Sequence, residues 1–243
     1  MKITAITDAY RRSNRRLLLL DYDGVLAPIM PTPEEAAPTD QTHAMLEKLT
    51  ADTRNTCVIV SGRPRATLEE WLGQYPVAFA AEHGLWRKEQ GGEWKEALEV
   101  KTDWKQSVTE IMEGIESELP GSFVEEKHAG LAFHYRKAAN PELQVEELIR
   151  LLTPVANTER LRIMHGKKVV EVVPAGVDKG TASLYWLKGD YDFILAVGDD
   201  TTDEALFSIL PSDAYSLKIG EGDTAASHRL DTQAEFVDFI TKL

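Results

Sequence analysis

One cysteine, Cys57, is the whole thiol content of this 243-residue chain. No internal disulfide can form, which fits a reducing compartment, and Cys57 within Thr56–Val60 reads as a small core residue. Positive charge is also scarce, with 27 Lys and Arg against 40 Asp and Glu and a net charge of −13. Such a surface repels nucleic acid and anionic membranes, so neither is expected as a partner. The one dense basic run, Arg11, Arg12, Arg15 and Arg16, precedes an apolar stretch and reads as a solvated helix end. The N-terminus has no apolar core of a signal peptide, and no run approaches the length of a membrane span. The expectation is therefore a cytoplasmic monomer. Repeats and low-complexity segments are absent as well. What is present is ordinary for a globular protein: 43% hydrophobic and 28% charged residues, enough for one large domain or two modest ones.

Four short apolar runs stand out. Leu17–Leu20 ends at Asp21 and Asp23, Cys57–Val60 at Ser61-Gly62-Arg63, Val77–Ala80 at Glu82-His83-Gly84, and Phe193–Val197 at Gly198-Asp199-Asp200. Continuous apolar runs of this length read as strands buried on both faces, the mark of a parallel sheet. Helical spacing over 40–53 and 64–74 separates the first three. Strand, helix, strand, helix predicts a Rossmann-like, doubly wound α/β core. Between about 101 and 172 the pattern changes to a helix (103–118), alternating strands (122–126 and 131–136), a helix (141–153) and a hairpin (161–172). Alternation such as Leu131–Arg136 suits an antiparallel sheet with one wet face. An α+β cap over 101–172 is thus expected, inserted between core segments 1–100 and 173–243.

In open α/β sheets, loops at the strand carboxyl ends form the ligand crevice. Asp21/Asp23, Ser61/Arg63, Lys179 at a helix start, and Asp199/Asp200/Asp203 should converge there. Clustered carboxylates repel one another and are tolerated around a cation. A hard, oxygen-rich site suits Mg²⁺. Each motif alone also reads as a turn or a helix cap; it is their joint occurrence, each at a strand end or helix start, that points to chemistry.

Leu18-Leu-Leu-Asp21-Tyr-Asp23-Gly24-Val-Leu26, Ser61-Gly-Arg63, Lys179-Gly180 and Gly198-Asp199-Asp200-Thr-Thr-Asp203 resemble the four motifs of the haloacid dehalogenase superfamily. Ala81–Gly84, Val124–Lys127, His134-Tyr-Arg136 and Gly166–Gly180 resemble, more narrowly, the trehalose-6-phosphate phosphatases. The resemblance covers about residues 15–240. It implies Asp21 as nucleophile, Asp23 as general acid and then base, and Lys179 as the balancing cation. Ser61, Gly62 and Lys179 would bind the phosphoryl group. Asp21, the Asp23 carbonyl and Asp199 would hold Mg²⁺, with Asp200 and Asp203 behind them. Arg63, Glu82, His83, Gly84, Lys127, His134, Arg136 and Glu171 would contact a small phosphorylated disaccharide, trehalose 6-phosphate, in the last step of trehalose synthesis. A phosphatase of another sugar or glycosyl-polyol phosphate, a phosphomutase, and an inactive sugar-phosphate sensor remain as alternatives. The Trp side chains read as packing residues, and His43, His128, His165 and His228 carry no motif.

Overall fold

The computed structural model describes residues 3–97, 99–128 and 130–243. The chain divides into two compact units, Met1–Ala97 with Asp178–Leu243, and Leu98–Val177. The expected boundaries, 100/101 and 172/173, lie a few residues inside those of the second unit.

The first unit begins with α1 (Ile3–Arg12), β1 (Arg16–Leu20), α2 (Asp40–Ala51), β2 (Asn55–Val60), α3 (Arg65–Leu72) and β3 (Ala78–Ala81). Two short antiparallel strands follow, β4 (Trp86–Lys88) and β5 (Lys95–Glu96). The second unit supplies α4 (Lys105–Glu118), β6 (Phe123–Glu126), β7 (Leu131–His134), α5 (Glu142–Glu159), β8 (Leu161–Gly166) and β9 (Val169–Pro174). The chain then completes the first unit with α6 (Lys179–Leu187), β10 (Phe193–Gly198), α7 (Glu204–Ser208), β11 (Tyr215–Ile219), β12 (His228–Leu230) and α8 (Gln233–Lys242).

The eight-stranded sheet of the first unit has the order β12-β11-β10-β1-β2-β3-β4-β5, and it is parallel from β12 to β3. Every residue of β1 is buried. Leu17 and Leu19 pack with Trp186 of α6 and with Leu206 and Phe207 of α7. Leu18 and Leu20, which point to the opposite face, are equally buried. Burial on both faces is the reason the strand carries no polar alternation. Each such leucine contributes ~1.5–3 kcal/mol of transfer free energy, which anchors the loop that follows it. Strand order reverses at β1, whose neighbours are β10 and β2. That is the switch point where open sheets leave a crevice.

The second unit has a four-stranded antiparallel sheet, β6-β7-β9-β8. Leu131, Phe133, Val170 and Val172 share a core with Val108, Met112 and Ile115 of α4 and with Val145, Leu148 and Leu152 of α5. Alternate residues, among them Ala132, His134 and Glu171, occupy the other face.

Three readings need correction. Arg16 is not solvated: it opens β1 fully buried, its guanidinium 3.8 Å from the Tyr10 ring centre and 2.8 Å from Asp52 Oδ2. The apolar length of the strand pulls it in, and the aromatic ring and carboxylate make that tolerable. The second cap helix does not stop before Pro154 but runs to Glu159, ending at a left-handed Arg160. Its apolar stripe continues to the buried Ala156, and packing outweighs the missing N–H. The sheet also extends through β4, β5, β11 and β12, strands too short or too mixed to read from pattern. Among the described residues, no helix is long and apolar enough to cross a membrane.

Candidate active site

Asp21 leaves β1 with its N–H bonded to the Val197 carbonyl at 3.0 Å, so the ends of β1 and β10 are stitched together. Its Oδ1 accepts the Tyr22 N–H at 2.7 Å, and its Oδ2 lies 2.8 Å from Lys179 Nζ. Lys179 opens α6 behind the N-cap of Asp178, and its ammonium also donates to Asp203 Oδ1 at 2.7 Å. Asp203 is fully buried, and its Oδ2 accepts the N–H groups of Asp199 and Asp200 at 2.9 and 3.0 Å. Asp200 is half-buried and caps the following turn through the Thr201 N–H at 2.7 Å. One carboxylate thus shapes the loop while holding the lysine.

Asp21, Asp199 and Asp203 each offer an oxygen, all within 4.8 Å of one another. All three are buried, with Lys179 between Asp21 and Asp203. Burial, then Asp203 and Asp199, push the Asp21 carboxyl well above its usual range, against the pull of Lys179. Burial alone would draw the Lys179 ammonium down, but Asp203 and Asp21 hold it well above its ordinary value. Three carboxylates against one ammonium leave negative charge in a dry site, a donor set that fits a hard divalent cation.

Gly24 makes this cluster possible. Its φ is +73°, and a Cβ there would sit 2.2 Å from Asp199 Oδ2. Gly24→Ala therefore combines a left-handed backbone cost of ~1–2 kcal/mol with displacement of Asp199. Activity should fall at least ~100-fold, as misplacement of a site group does. Gly91 also has positive φ, +67°, but open space around it. Gly91→Ala should carry the backbone cost alone and leave kcat unchanged; equal kinetic effects of the two would show that crowding on Asp199 is irrelevant.

Asp23 is not among the clustered oxygens. Its Oδ2 and Oδ1 accept from Arg63 Nε and NH2 at 2.9 and 2.7 Å. Arg63, expected on the substrate, also donates through NH1 to the Pro33 carbonyl at 2.8 Å. Ser61 is buried at the end of β2, and its Oγ accepts the Arg63 N–H at 3.2 Å. Glu82, His83 and Gly84 are three successive left-handed residues, with φ of 48°, 56° and 105°. Glu82 N–H and His83 N–H bond the carbonyls of Arg63 and Ser61, both at 3.0 Å. A Cβ at Gly62 would meet the His83 ring at 2.6 Å, so the two loops lie in contact. Strain of this kind persists only where surroundings enforce it.

The remaining predicted residues lie in the second unit. Lys127 and Glu171 form a largely buried ion pair. His134 Nε2 meets Glu125 Oε2 at 2.8 Å, and its ring stacks on Phe123 at 4.6 Å. Exposed Arg136 donates to the Lys167 carbonyl at 2.5 Å. Sequence reasoning missed the Glu125 partner of His134, though its place two residues before Lys127 on an alternating strand was a usable signal. It expected Asp203 beside the cluster but gave no sign that Asp203 would bond Lys179 or that Arg63 would grip Asp23.

Residues 19–235 match the trehalose-phosphatase family. A bifunctional trehalose-6-phosphate synthase/phosphatase of Thermoproteus tenax is 44% identical over 233 residues, covering 95% of this chain and 32% of that protein. The trehalose-phosphatase of Saccharomyces cerevisiae is 37% identical over 229 residues, covering 83% of this chain and 25% of its own length. The chain thus spans less than a third of either curated relative. The C-terminal domain of C. albicans trehalose-6-phosphate phosphatase superposes with a TM-score of 0.94 at 30% identity, over 99% of this chain and 95% of that one. A haloacid dehalogenase-like hydrolase from Bacteroides thetaiotaomicron shares the fold at 14% identity and a TM-score of 0.66, over 94% and 99% of the chains. With its parallel core, its inserted unit and a match running over most of its length, the chain belongs to the trehalose-phosphatase family.

Proposed function

We propose that the protein is a Mg²⁺-dependent phosphatase that converts trehalose 6-phosphate to trehalose and phosphate through an aspartyl-phosphate on Asp21. The observation that carries this reading is the buried Asp21–Lys179–Asp203 chain beside Asp199 at the sheet's switch point. Asp21 Oδ attacks phosphorus, and the bond from phosphorus to the sugar oxygen breaks. Asp23 gives its proton to that leaving oxygen, then takes a proton from the water that attacks the acyl phosphate. The P–Oδ bond breaks, phosphate leaves and Asp21 is restored. Ser61 and the Gly62 backbone hold phosphoryl oxygens, and Lys179 balances charge on nucleophile and phosphate. Asp21 and Asp199, with the Asp23 carbonyl, would hold Mg²⁺, which neutralises carboxylate and phosphoryl charge when bound. Asp203 and Asp200 support that set by ordering its loop.

Sugar recognition is assigned to Glu82, His83 and Gly84 of the core and to Lys127, His134, Arg136 and Glu171 of the inserted unit. The pairs Lys127–Glu171 and His134–Glu125 offer the donors and acceptors that hydroxyls need.

Phosphate release should be measured with trehalose 6-phosphate, glucosylglycerol phosphate and glucose 6-phosphate, with Mg²⁺ and after verified metal removal. Trehalose 6-phosphate should be preferred, and turnover should vanish without metal and return with Mg²⁺. Full activity of the stripped protein would exclude the metal, and preference for another substrate would replace the trehalose assignment. Lys127→Ala and Glu171→Ala should lower kcat/KM for the sugar phosphate at least ~30-fold, while an aryl phosphate is hydrolysed nearly as by wild type. Equal losses on both substrates would remove these residues from the sugar contacts.

A further inference from the structure

Asp23 is the most exposed of the proposed catalytic side chains, at 38%, whereas its partner Arg63 is at 10%. A carboxyl so exposed on a single methylene turns among rotamers unless something ties it. Here the tie is a two-point fork, Nε to Oδ2 and NH2 to Oδ1. Such a fork fixes the plane of a carboxyl as well as its place, which a single contact does not.

Arg63 is itself braced on several sides. Its third nitrogen donates to the Pro33 carbonyl, and its guanidinium carbon lies 4.8 Å from the Trp71 ring of α3 and 5.3 Å from that of Tyr22. Tyr22 is fixed by its hydroxyl, which donates to the Ala36 carbonyl at 2.7 Å. The Arg63 backbone is pinned as well, since its carbonyl accepts the Glu82 N–H and its N–H bonds Ser61 Oγ. Each of the three guanidinium nitrogens donates to a protein oxygen, two to Asp23 and one to the Pro33 carbonyl.

We propose that Arg63 is a positioning residue, which acts on the reaction by fixing the carboxyl of Asp23 for both of its proton transfers. The proposal rests on Asp23 being the acid and base of the phosphatase reading above. It predicts a leaving-group signature. A sugar alkoxide cannot leave without a proton from Asp23, whereas an aryl oxide can. Loosening Asp23 therefore slows the first step for the sugar ester and spares it for the aryl ester.

The test uses Arg63→Lys and Arg63→Ala in the full chain, each also combined with Asp23→Asn, on trehalose 6-phosphate and 4-nitrophenyl phosphate. The lysine variant keeps the charge and an aliphatic stem beside Trp71, and it reports even if the alanine variant does not fold. It lacks the fork. With trehalose 6-phosphate, Arg63→Lys should lower kcat and kcat/KM ~30–100-fold, the scale of a site group displaced by about 1 Å. KM should stay within about threefold, because no substrate contact is removed. For the aryl ester kcat/KM should fall less than ~5-fold, although kcat falls further because water attack still needs the base. In the Asp23→Asn background neither Arg63 substitution should add more than about a twofold effect. Equal kcat/KM losses on both esters, a raised KM with kcat retained, or losses that multiply with those of Asp23→Asn would each overturn the proposal. If wild type does not hydrolyse the sugar ester, the phosphatase reading for that substrate fails on its own. The double-variant comparison on the aryl ester still decides the role of Arg63.

Discussion

Asp21→Asn folds and does not turn over. The amide cannot form an acyl phosphate, and phosphate release should fall at least about a thousandfold, as loss of a nucleophile does in other enzymes. Folding survives because the substitution is nearly isosteric and removes like-charge repulsion with Asp203 and Asp199. The same repulsion, with burial, gives a second readout. The folded protein holds the Asp21 carboxyl above its unfolded value, so its contribution to stability is present in full below about pH 4. That contribution is lost as pH rises through the raised value. In metal-free protein Asp21→Asn should therefore gain melting temperature relative to wild type as pH rises from acidic to neutral. Retained activity above a few per cent, with deamidation excluded by mass spectrometry, would sink the nucleophile assignment. Parallel slopes for the two proteins would show that Asp21 is not the strained carboxyl.

Lys179→Met has the larger effect on stability. Lys179 is 3% exposed, and its ammonium is joined to both Asp21 and Asp203. Methionine keeps the stem volume and removes the charge, leaving buried carboxylates facing one another. Breaking a buried ion pair from one side costs roughly 3–5 kcal/mol. For a chain of this size that lowers Tm by ~10 °C. Turnover should fall at least ~100–1000-fold, the scale of losing one preorganised charge contact to a phosphoryl oxygen. Mg²⁺ should recover part of the lost Tm and little of the activity, because it offsets carboxylate repulsion but cannot replace the ammonium. A variant as stable as wild type in EDTA would mean that the cluster carries far less strain than its geometry implies.

The elements legible in the sequence are those in which local pattern and tertiary demand agree. Leu17–Leu20, Cys57–Val60 and Phe193–Val197 are uniformly apolar because both faces of a central parallel strand are covered, and that requirement is written residue by residue. The carboxylates at the strand ends were legible for the same reason, since Asp21 and Asp199 follow the buried runs of β1 and β10. Alternation over 131–136 likewise showed the sheet of the inserted unit. Strand β4 and the edge strands β5 and β12 have only two or three residues each, so they carry no period to read.

What tertiary structure alone decided is the pairing of charges. Nothing local says that Arg16 folds inward onto Tyr10 and Asp52, or that the helix at Pro154 continues because Ala156 has a core to reach. Nor does the sequence say which of Asp21, Asp23, Asp199, Asp200 and Asp203 share one buried space. Asp203 joins that space because Gly198, where a Cβ would meet its carboxyl at 2.2 Å, lets the loop fold back on itself. Asp23 stays outside it, held by Arg63 across forty positions of chain. Sequence determined which residue types stand at the strand ends, because burial constrains each residue singly. Structure decided their partners, because electrostatic energy depends on distance through space, and distances between remote residues are fixed only when the sheet closes.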